Sequence, residues 1–530
     1  MPVDCLIREA RVVDGTGGPW FVSDVLLRDG RIADLGRNLQ AEGAHIVDAQ
    51  GRYLAPGFID AHCHDDLICL REPERIEKIA QGVTTLVVGN CSFSLYPATL
   101  ASAPSLRKHF STLLGEVLPE EVFDDLAGYR DAIHRRGLAL NVVSLVGHAA
   151  LRIAVIGHDR RSATEAECAA MQALLDKDLR AGAAGLSLGL VYPPSAYADR
   201  QELLALARTV QRHGKVLAAH IRGYEGDLLD AMGEFIDLLR ASGAPGLLSH
   251  LQLAGRPNWG RMGDALNKLE QARGQGVDVS FDMYPYPAGS SYILQLLPPD
   301  ALEGGFDVLL ARLSQPEFRE RLRLYLEGKD ISGAPPSKVS LIGWDNVRIS
   351  GVSNSGLKSL EGLNMVQASA GLAITPFELL IRLIQEDQGQ TSIVMFQLDE
   401  KDLQAACTHR LHMVGSDGLP RPGTKPHPRA YGTFPRVAGR LRREGWFALE
   451  DAVCRMTSRA AERFGLADRG LIRPGMVADL VLFDDTIDDN ATFDSPTRLP
   501  TGIEHVLVAG QMVMENGKMT GRLPGRVLGS

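Results

Sequence analysis

The sequence predicts an α/β protein: a TIM-like (β/α)8 barrel, a small β-sandwich built from both chain ends, and an insertion between the seventh and eighth barrel strands. Three observations carry that prediction. Eight runs in the middle of the chain are apolar at consecutive positions, as strands buried on both faces are. Helical stretches separate several of them at about one βα unit: positions 62 and 91 are 29 residues apart, and 220 and 250 are 30 apart. Both ends are instead rich in short strands punctuated by glycine turns.

At the N-terminus, Val12-Val13-Asp14-Gly15 and the run 25–32 each place Asp-Gly beside an apolar stretch. The C-terminus repeats the style in 478–483, 503–510 and 513–517. Neither end has enough strands for its own core, so residues 1–55 and 470–530 are expected to pair into one domain. The barrel should occupy 56–469, with strands at 54–64, 83–91, 138–148, 185–192, 215–221, 246–252, 277–286 and 411–418. Helices are expected at 165–181, where Met171, Leu174, Leu175 and Leu179 share a face, and at 203–212. More than 120 residues separate the last two strands instead of roughly 30 for a βα unit, and about 290–345 reads as an inserted subdomain or lid.

Composition narrows the function. The 530 residues are 45% hydrophobic and 23% charged, which excludes general disorder. With 56 Lys and Arg against 65 Asp and Glu, the formal charge is −9, and there is no basic stripe for nucleic acid or anionic membrane. No run approaches the roughly 18 apolar residues of a membrane span, and Asp4 and Glu9 interrupt any signal-peptide pattern. Seven unpatterned cysteines point to a reducing compartment. The expectation is a cytoplasmic protein whose partner is a small molecule.

In a barrel, chemistry gathers at the C-terminal ends of the strands. Here those ends carry His62 and His64, Cys91, His220, His250 and Asp417. Strand alternation puts His62 and His64 on one side and Cys63 on the other. Singly, a buried His or Cys is usually core, and Gly-Ser-Asp-Gly reads as a turn. Together at strand ends they describe a metal site, and imidazoles beside a thiolate favour zinc.

The stretch from Pro56 through Phe58-Ile59-Asp60-Ala61-His62-Cys63-His64-Asp65-Asp66 resembles the first-strand signature of the amidohydrolase superfamily. Within it, Gln81-Gly82-Val83-Thr84-Thr85, Asn90-Cys91, Val146-Gly147-His148, Tyr192-Pro193-Pro194, Gly415-Ser416-Asp417-Gly418 and His427-Pro428-Arg429 resemble the D-aminoacylases, the N-acyl-D-amino-acid deacylases. That resemblance implies a tight zinc on Cys91, His220 and His250, and a second, weaker position involving His62 and His64. It also implies hydrolysis of an N-acyl amino acid, in which Asp417 takes a proton from an activated water and returns it to the departing amine.

The α-carboxylate of such a substrate needs a cation, and Arg429 is the candidate. Tyr284 and Ser290 are further substrate-binding candidates by resemblance, and Tyr192 a candidate for the pocket wall; His148 reads as structural. Two departures bear on specificity. The family often has Ser-His-His-Lys at the sixth strand, where this chain has Ser249-His250-Leu251-Gln252. Gln252 supplies no charge, which favours a neutral or apolar D-side chain over an acidic one. His220-Ile221-Arg222-Gly223-Tyr224-Glu225 departs from a tighter His-x-Arg-x-Glu pattern. A cyclic-amide hydrolase of the hydantoinase type is the main rival, opposed by the absence of lysine from the fourth strand; a non-catalytic barrel and a deaminase are lesser ones.

Overall fold

The computed structural model describes residues 4–329 and 336–529. Its centre is a parallel sheet of eight strands running around the barrel in chain order: Phe58–Asp60, Val83–Val88, Asn141–Gly147, Gly185–Gly189, Val216–His220, Gly246–Leu248, Val279–Met283 and His412–Val414. The first and last strands meet just beyond their ends. There the Ala61 N–H donates to the Val414 carbonyl (3.2 Å), and the Asp417 N–H donates to the His62 carbonyl (2.7 Å). Ile59, Val87, Val143, Leu145, Ala218, Leu247 and Met413 form one buried cluster, so the barrel is a packed core rather than a pore.

The strands are shorter than their apolar runs. The expected first strand, 54–64, divides at Pro56-Gly57. Tyr53–Pro56 pairs with the terminal sheet, and only Phe58–Asp60 enters the barrel. Gly57 is required at that break, because a Cβ there would lie 2.2 Å from the Thr84 hydroxyl. Four of the five strand ends that carry site residues stop before them: His62 and His64, Cys91, His250 and Asp417 all lie beyond their strands, and only His220 lies within one.

Both chain ends join a single nine-stranded sheet. Tyr53–Pro56 links its halves, running parallel to Cys5–Val12 and antiparallel to Leu480–Asp488. Asp29-Gly30, Ala509-Gly510 and Asn516-Gly517 turn its hairpins with both residues at positive φ, the geometry that follows the right-handed twist of the strands. Residues 1–3 and 530 of the expected domain lie outside the described residues. The helices match the periodicity: Glu165–Arg180 starts in a capping box of Thr164 with Glu167, and Arg200–Arg212 starts on the Asp199 side chain.

Between the seventh and eighth strands the chain builds a three-stranded antiparallel sheet from Ala288–Tyr292, Val347–Gly351 and Ser392–Phe396. The strands of this sheet bracket the expected insertion at about 290–345, the partners of Ala288–Tyr292 arriving at 347 and 392. Residues 330–335 of that span lie outside the described residues. Among the described residues no single helix is long and apolar enough to cross a membrane. All seven cysteines are free thiols.

Candidate active site

The loops after the barrel strands bring the sequence-selected residues to one buried centre. Cys91 Sγ lies 3.3 Å from His62 Nε2 and 3.5 Å from His250 Nε2. Two sets of donor atoms each converge to within 4.8 Å: His62, His64 and Cys91, and Cys91, His220 and His250. Cys91 belongs to both. All five ligand candidates are buried.

The backbone bends sharply to achieve this. Cys91, Ser92, His250 and Asp417 all have positive φ, at 53°, 72°, 35° and 46°. Such non-glycine conformations cost about 1–3 kcal/mol each and persist where the surrounding structure over-determines them. Close packing holds them here: a Cβ on Gly189 would sit 2.2 Å from the Cys91 carbonyl, and one on Gly415 would sit 2.6 Å from the His62 Cβ. These glycines let the second and eighth strand-end loops approach their neighbours.

The electrostatics suit a cation. Burial alone would raise the Cys91 thiol, but the charge on His62 and hydrogen bonds from His220 and His250 outweigh it and hold Cys91 well below the ordinary thiol value. Burial opposes protonation of His62, yet Asp282 and Cys91 keep it well above the usual imidazole range. Burial and neighbouring His250 push His220 down to about 4, which leaves it neutral and ready to ligate. The Nδ1 atoms of His64, His220 and His250 are buried without hydrogen-bond partners. A thiolate with four imidazoles around it fits zinc.

Asp417 faces this cluster. One carboxylate oxygen lies 3.2 Å from His64 Nε2 and 3.6 Å from His62 Nε2, while the other accepts from Arg429 Nη2 at 2.8 Å. Burial works against the carboxylate, but Arg429 first and then His64 and His62 hold it ionised, well below the usual carboxylate range. Arg429 is itself buried; its guanidinium lies 4.4 Å from the Tyr284 ring centre, and its Nε and Nη1 have no partner.

The remaining candidates are distributed around the same pocket. Tyr192 lines it, with its ring 4.8 Å from that of His220. Tyr284 and Ser290 also line it. The Ser290 hydroxyl donates to the Ile393 carbonyl (3.1 Å), so its proton is engaged in the inserted sheet, and its own carbonyl accepts from Arg429 (3.4 Å). Gln252 accepts on Oε1 from the Tyr284 hydroxyl (3.0 Å) and from Gln397 Nε2 (3.3 Å). His148 stands apart, bonded to Glu202 (2.8 Å), which Arg152 also grips.

Sequence reasoning missed Asp282 and Lys78. Asp282 accepts from the His250 N–H (2.9 Å) and lies 3.2 Å from His62 Nδ1, fixing one ring and one loop. It is the penultimate residue of the seventh strand, Val279–Met283, so the strand-end rule that found the other residues also reaches it. Lys78 is wholly buried and donates to Asp60 (2.8 Å) and to the Ser416 hydroxyl (3.1 Å), tying the first strand to the Asp417 loop.

Comparison with known proteins agrees with this geometry. The model of the Amidohydrolase family matches residues 45–285 and 348–514. The D-aminoacylase of Alcaligenes xylosoxydans xylosoxydans is 36% identical over 530 residues, covering 99% of this chain and 98% of that protein. The N-acyl-D-glutamate deacylase of the same organism is 36% identical over 530 residues, 99% and 96% of the two chains. The crystal structure of N-acyl-D-glutamate deacylase from Bordetella bronchiseptica, solved with zinc and a phosphonate mimic of the tetrahedral intermediate, superimposes with a TM-score of 0.83 at 34% identity over 100% of both chains. With its barrel, its converging thiolate and imidazoles, and this end-to-end similarity, the chain belongs to the amidohydrolase family, in its D-aminoacylase branch.

Proposed function

We propose that this chain is a zinc-dependent deacylase that hydrolyses N-acyl-D-amino acids with neutral or apolar side chains to a carboxylate and a free D-amino acid. The observation that carries this reading is Arg429: a buried guanidinium beside the candidate base, with two N–H positions unmatched. A buried cation of this kind is suited to a substrate carboxylate next to the scissile amide.

Cys91, His220 and His250 would hold a tight zinc, and His62 and His64, sharing Cys91, a weaker second ion. Such an ion polarises an amide carbonyl and makes water a nucleophile near neutral pH. Asp417 accepts the water's proton at the carboxylate oxygen facing the histidines and delivers it to the departing amine nitrogen. Arg429 takes the α-carboxylate, with the Tyr284 ring stacked against the guanidinium to fix its plane. Asp282 keeps the His62 ring and the His250 loop in place through proton transfer. Tyr192 walls the pocket on the side of the fourth strand.

The side-chain preference rests on Gln252. With both donors already directed at its oxygen, Gln252 presents a neutral amide where the resemblance leads one to expect a lysine. The cyclic-amide rival gains nothing from the site: Ser187 of the fourth strand is engaged with the Ser92 N–H at 3.0 Å and with the Gly89 carbonyl. Seven free thiols fit a reducing, cytoplasmic setting.

The test is amine release from matched N-acetyl-D- and N-acetyl-L-forms of methionine, leucine, phenylalanine and glutamate in zinc-supplemented buffer. Turnover of the neutral D-forms alone is expected. D-glutamate as best substrate would overturn the role given to Gln252, and no turnover of any member would overturn the deacylase reading.

A further inference from the structure

The pocket around Cys91, His220, His250 and Asp417 is small, about 50 Å³. That leaves room for a reacting amide and little more. It adjoins a second, far larger cavity of about 520 Å³, and Val191, Tyr192, Glu225, Gln295 and Lys338 line both. The larger volume falls within the roughly 300–1,000 Å³ typical of small-molecule sites. Tyr192 is the shared wall: its ring approaches His220 on one side and stacks on Tyr292 of the inserted sheet on the other, at 6.1 Å.

The direction of this cavity identifies its occupant. In a closed eight-stranded barrel the fourth and eighth strands stand opposite each other. Asp417 and Arg429 come after the eighth strand, whereas Val191 and Tyr192 come after the fourth. A substrate anchored by its α-carboxylate on Arg429, with its amide over the cysteine and histidines, sends its acyl group toward Tyr192 and the larger cavity. Beyond Tyr192 one side of the wall is apolar, with Leu294, Leu297, Leu302 and Tyr325, and charged residues, Asp227 and Asp300 among them, lie on the rest. The cations of the cavity wall are already matched: Arg160 to Glu303 (3.1 Å), Arg161 to Glu167 (2.7 Å), Arg222 to Glu234 (2.9 Å), and Lys338 to Glu225. None is left over for an acidic acyl terminus.

We propose that this cavity is an acyl-chain subsite and that the substrates carry an apolar, medium-chain or longer fatty acyl group on the D-amino acid. The inference rests on the deacylase reading and adds to it the class of acyl group. Each methylene moved from water into such a wall favours binding by about fourfold. The small metal pocket cannot provide that gain, so it appears only when the chain reaches the second cavity.

The experiment compares N-acetyl- and N-octanoyl-D-leucine on the zinc-loaded full-length enzyme and on Leu294→Trp, which fills the cavity away from the metal pocket. The expected result is at least a hundredfold higher kcat/KM for the octanoyl substrate. In Leu294→Trp it falls to within a few-fold of the acetyl substrate, whose own kcat/KM stays unchanged. Leu297→Trp, on the same wall, replaces Leu294→Trp if that variant does not fold. Equal or better turnover of the acetyl substrate, or a parallel loss of both substrates in the variant, would overturn the subsite. If neither substrate is turned over, the deacylase reading fails and calorimetric binding decides the subsite: tighter binding of N-octanoyl- than N-acetyl-D-leucine, lost in the variant, supports it, and equal binding overturns it.

Discussion

At the seam between the first and eighth barrel strands, two buried polar clusters adjoin. In one, Lys78 meets Asp60 and Asp65, and Arg75 meets Asp65 and Glu77, so every buried charge has an opposite within contact. In the other, a thiolate and four imidazoles bring their donor atoms to one place with no lysine or arginine among them to share. The first cluster balances its charges within itself, although Arg75 stands at positive φ and its Nε has no hydrogen-bond partner, and it holds the loop that carries Asp417. The second is balanced only with something added. Neighbouring sets of buried polar residues thus divide into a scaffold and a site, and the balance of charge within each set, rather than burial, tells them apart.

The largest expected effect falls on the second cluster. Asp417→Asn keeps the shape but cannot accept a proton, and kcat should fall by about 10³-fold or more. Zinc content, measured on the purified variant, should stay at the wild-type level, because Cys91, His220 and His250 are untouched. Loss of zinc together with activity would make Asp417 a ligand and move it out of the role of base.

The first cluster should respond in stability. Lys78→Met leaves Asp60 without a cation and Asp65 with Arg75 alone, and breaking a buried pair from one side costs about 3–5 kcal/mol. A lower denaturant midpoint corresponding to that loss of unfolding free energy, with zinc still bound by the folded fraction, is the expected outcome. An unchanged midpoint would show that Lys78 is not part of the scaffold and would erase the contrast between the two clusters.

A smaller effect is expected at Arg429, which grips Asp417 and which we propose takes the substrate carboxylate. Arg429→Lys retains the charge but loses the planar fork, and should raise KM by about tenfold to a hundredfold on N-acyl-D-amino acids. Uncharged anilides of the same acyl group, which lack an α-carboxylate, should be affected far less. An equal loss on both substrate types would confine Arg429 to holding Asp417.

Much of the site was legible in the sequence because a barrel writes its chemistry at strand ends. His62, His64, Cys91, His220, His250 and Asp417 could be selected from the residues that close each apolar run, and the structure brings them to one point. Strand lengths were not legible: Pro56-Gly57 splits one apolar run between two sheets, and an apolar stretch does not state which sheet it joins. The small sheet between the seventh and eighth strands was hidden for the same reason, since Val347–Gly351 and Ser392–Phe396 become strands through pairing across many residues. The charge partners of Lys78 were invisible too, because a lysine in a sequence reads as surface unless its acids are known to surround it.

The smallest prediction concerns Gln252, which shares the logic of the first cluster inside the site. Its Oε1 takes a hydrogen bond from Tyr284 and another from Gln397, so the two donors hold the amide in one orientation. Gln252→Lys replaces that acceptor with a cation: the Tyr284 hydroxyl can turn to accept from it, but the Gln397 N–H is left facing a like polarity. Unmatching that donor at this half-buried position costs about 1 kcal/mol, and it should appear as a loss of about fivefold in kcat/KM on N-acyl-D-leucine. The new charge should raise kcat/KM on N-acyl-D-glutamate by about tenfold over the same interval. Because the two changes oppose each other, their ratio isolates the charge from any general disturbance of the pocket. A ratio that stays fixed would mean that the D-side chain does not reach Gln252, and the side-chain preference would then belong to Tyr224 and Leu113 on the same pocket wall.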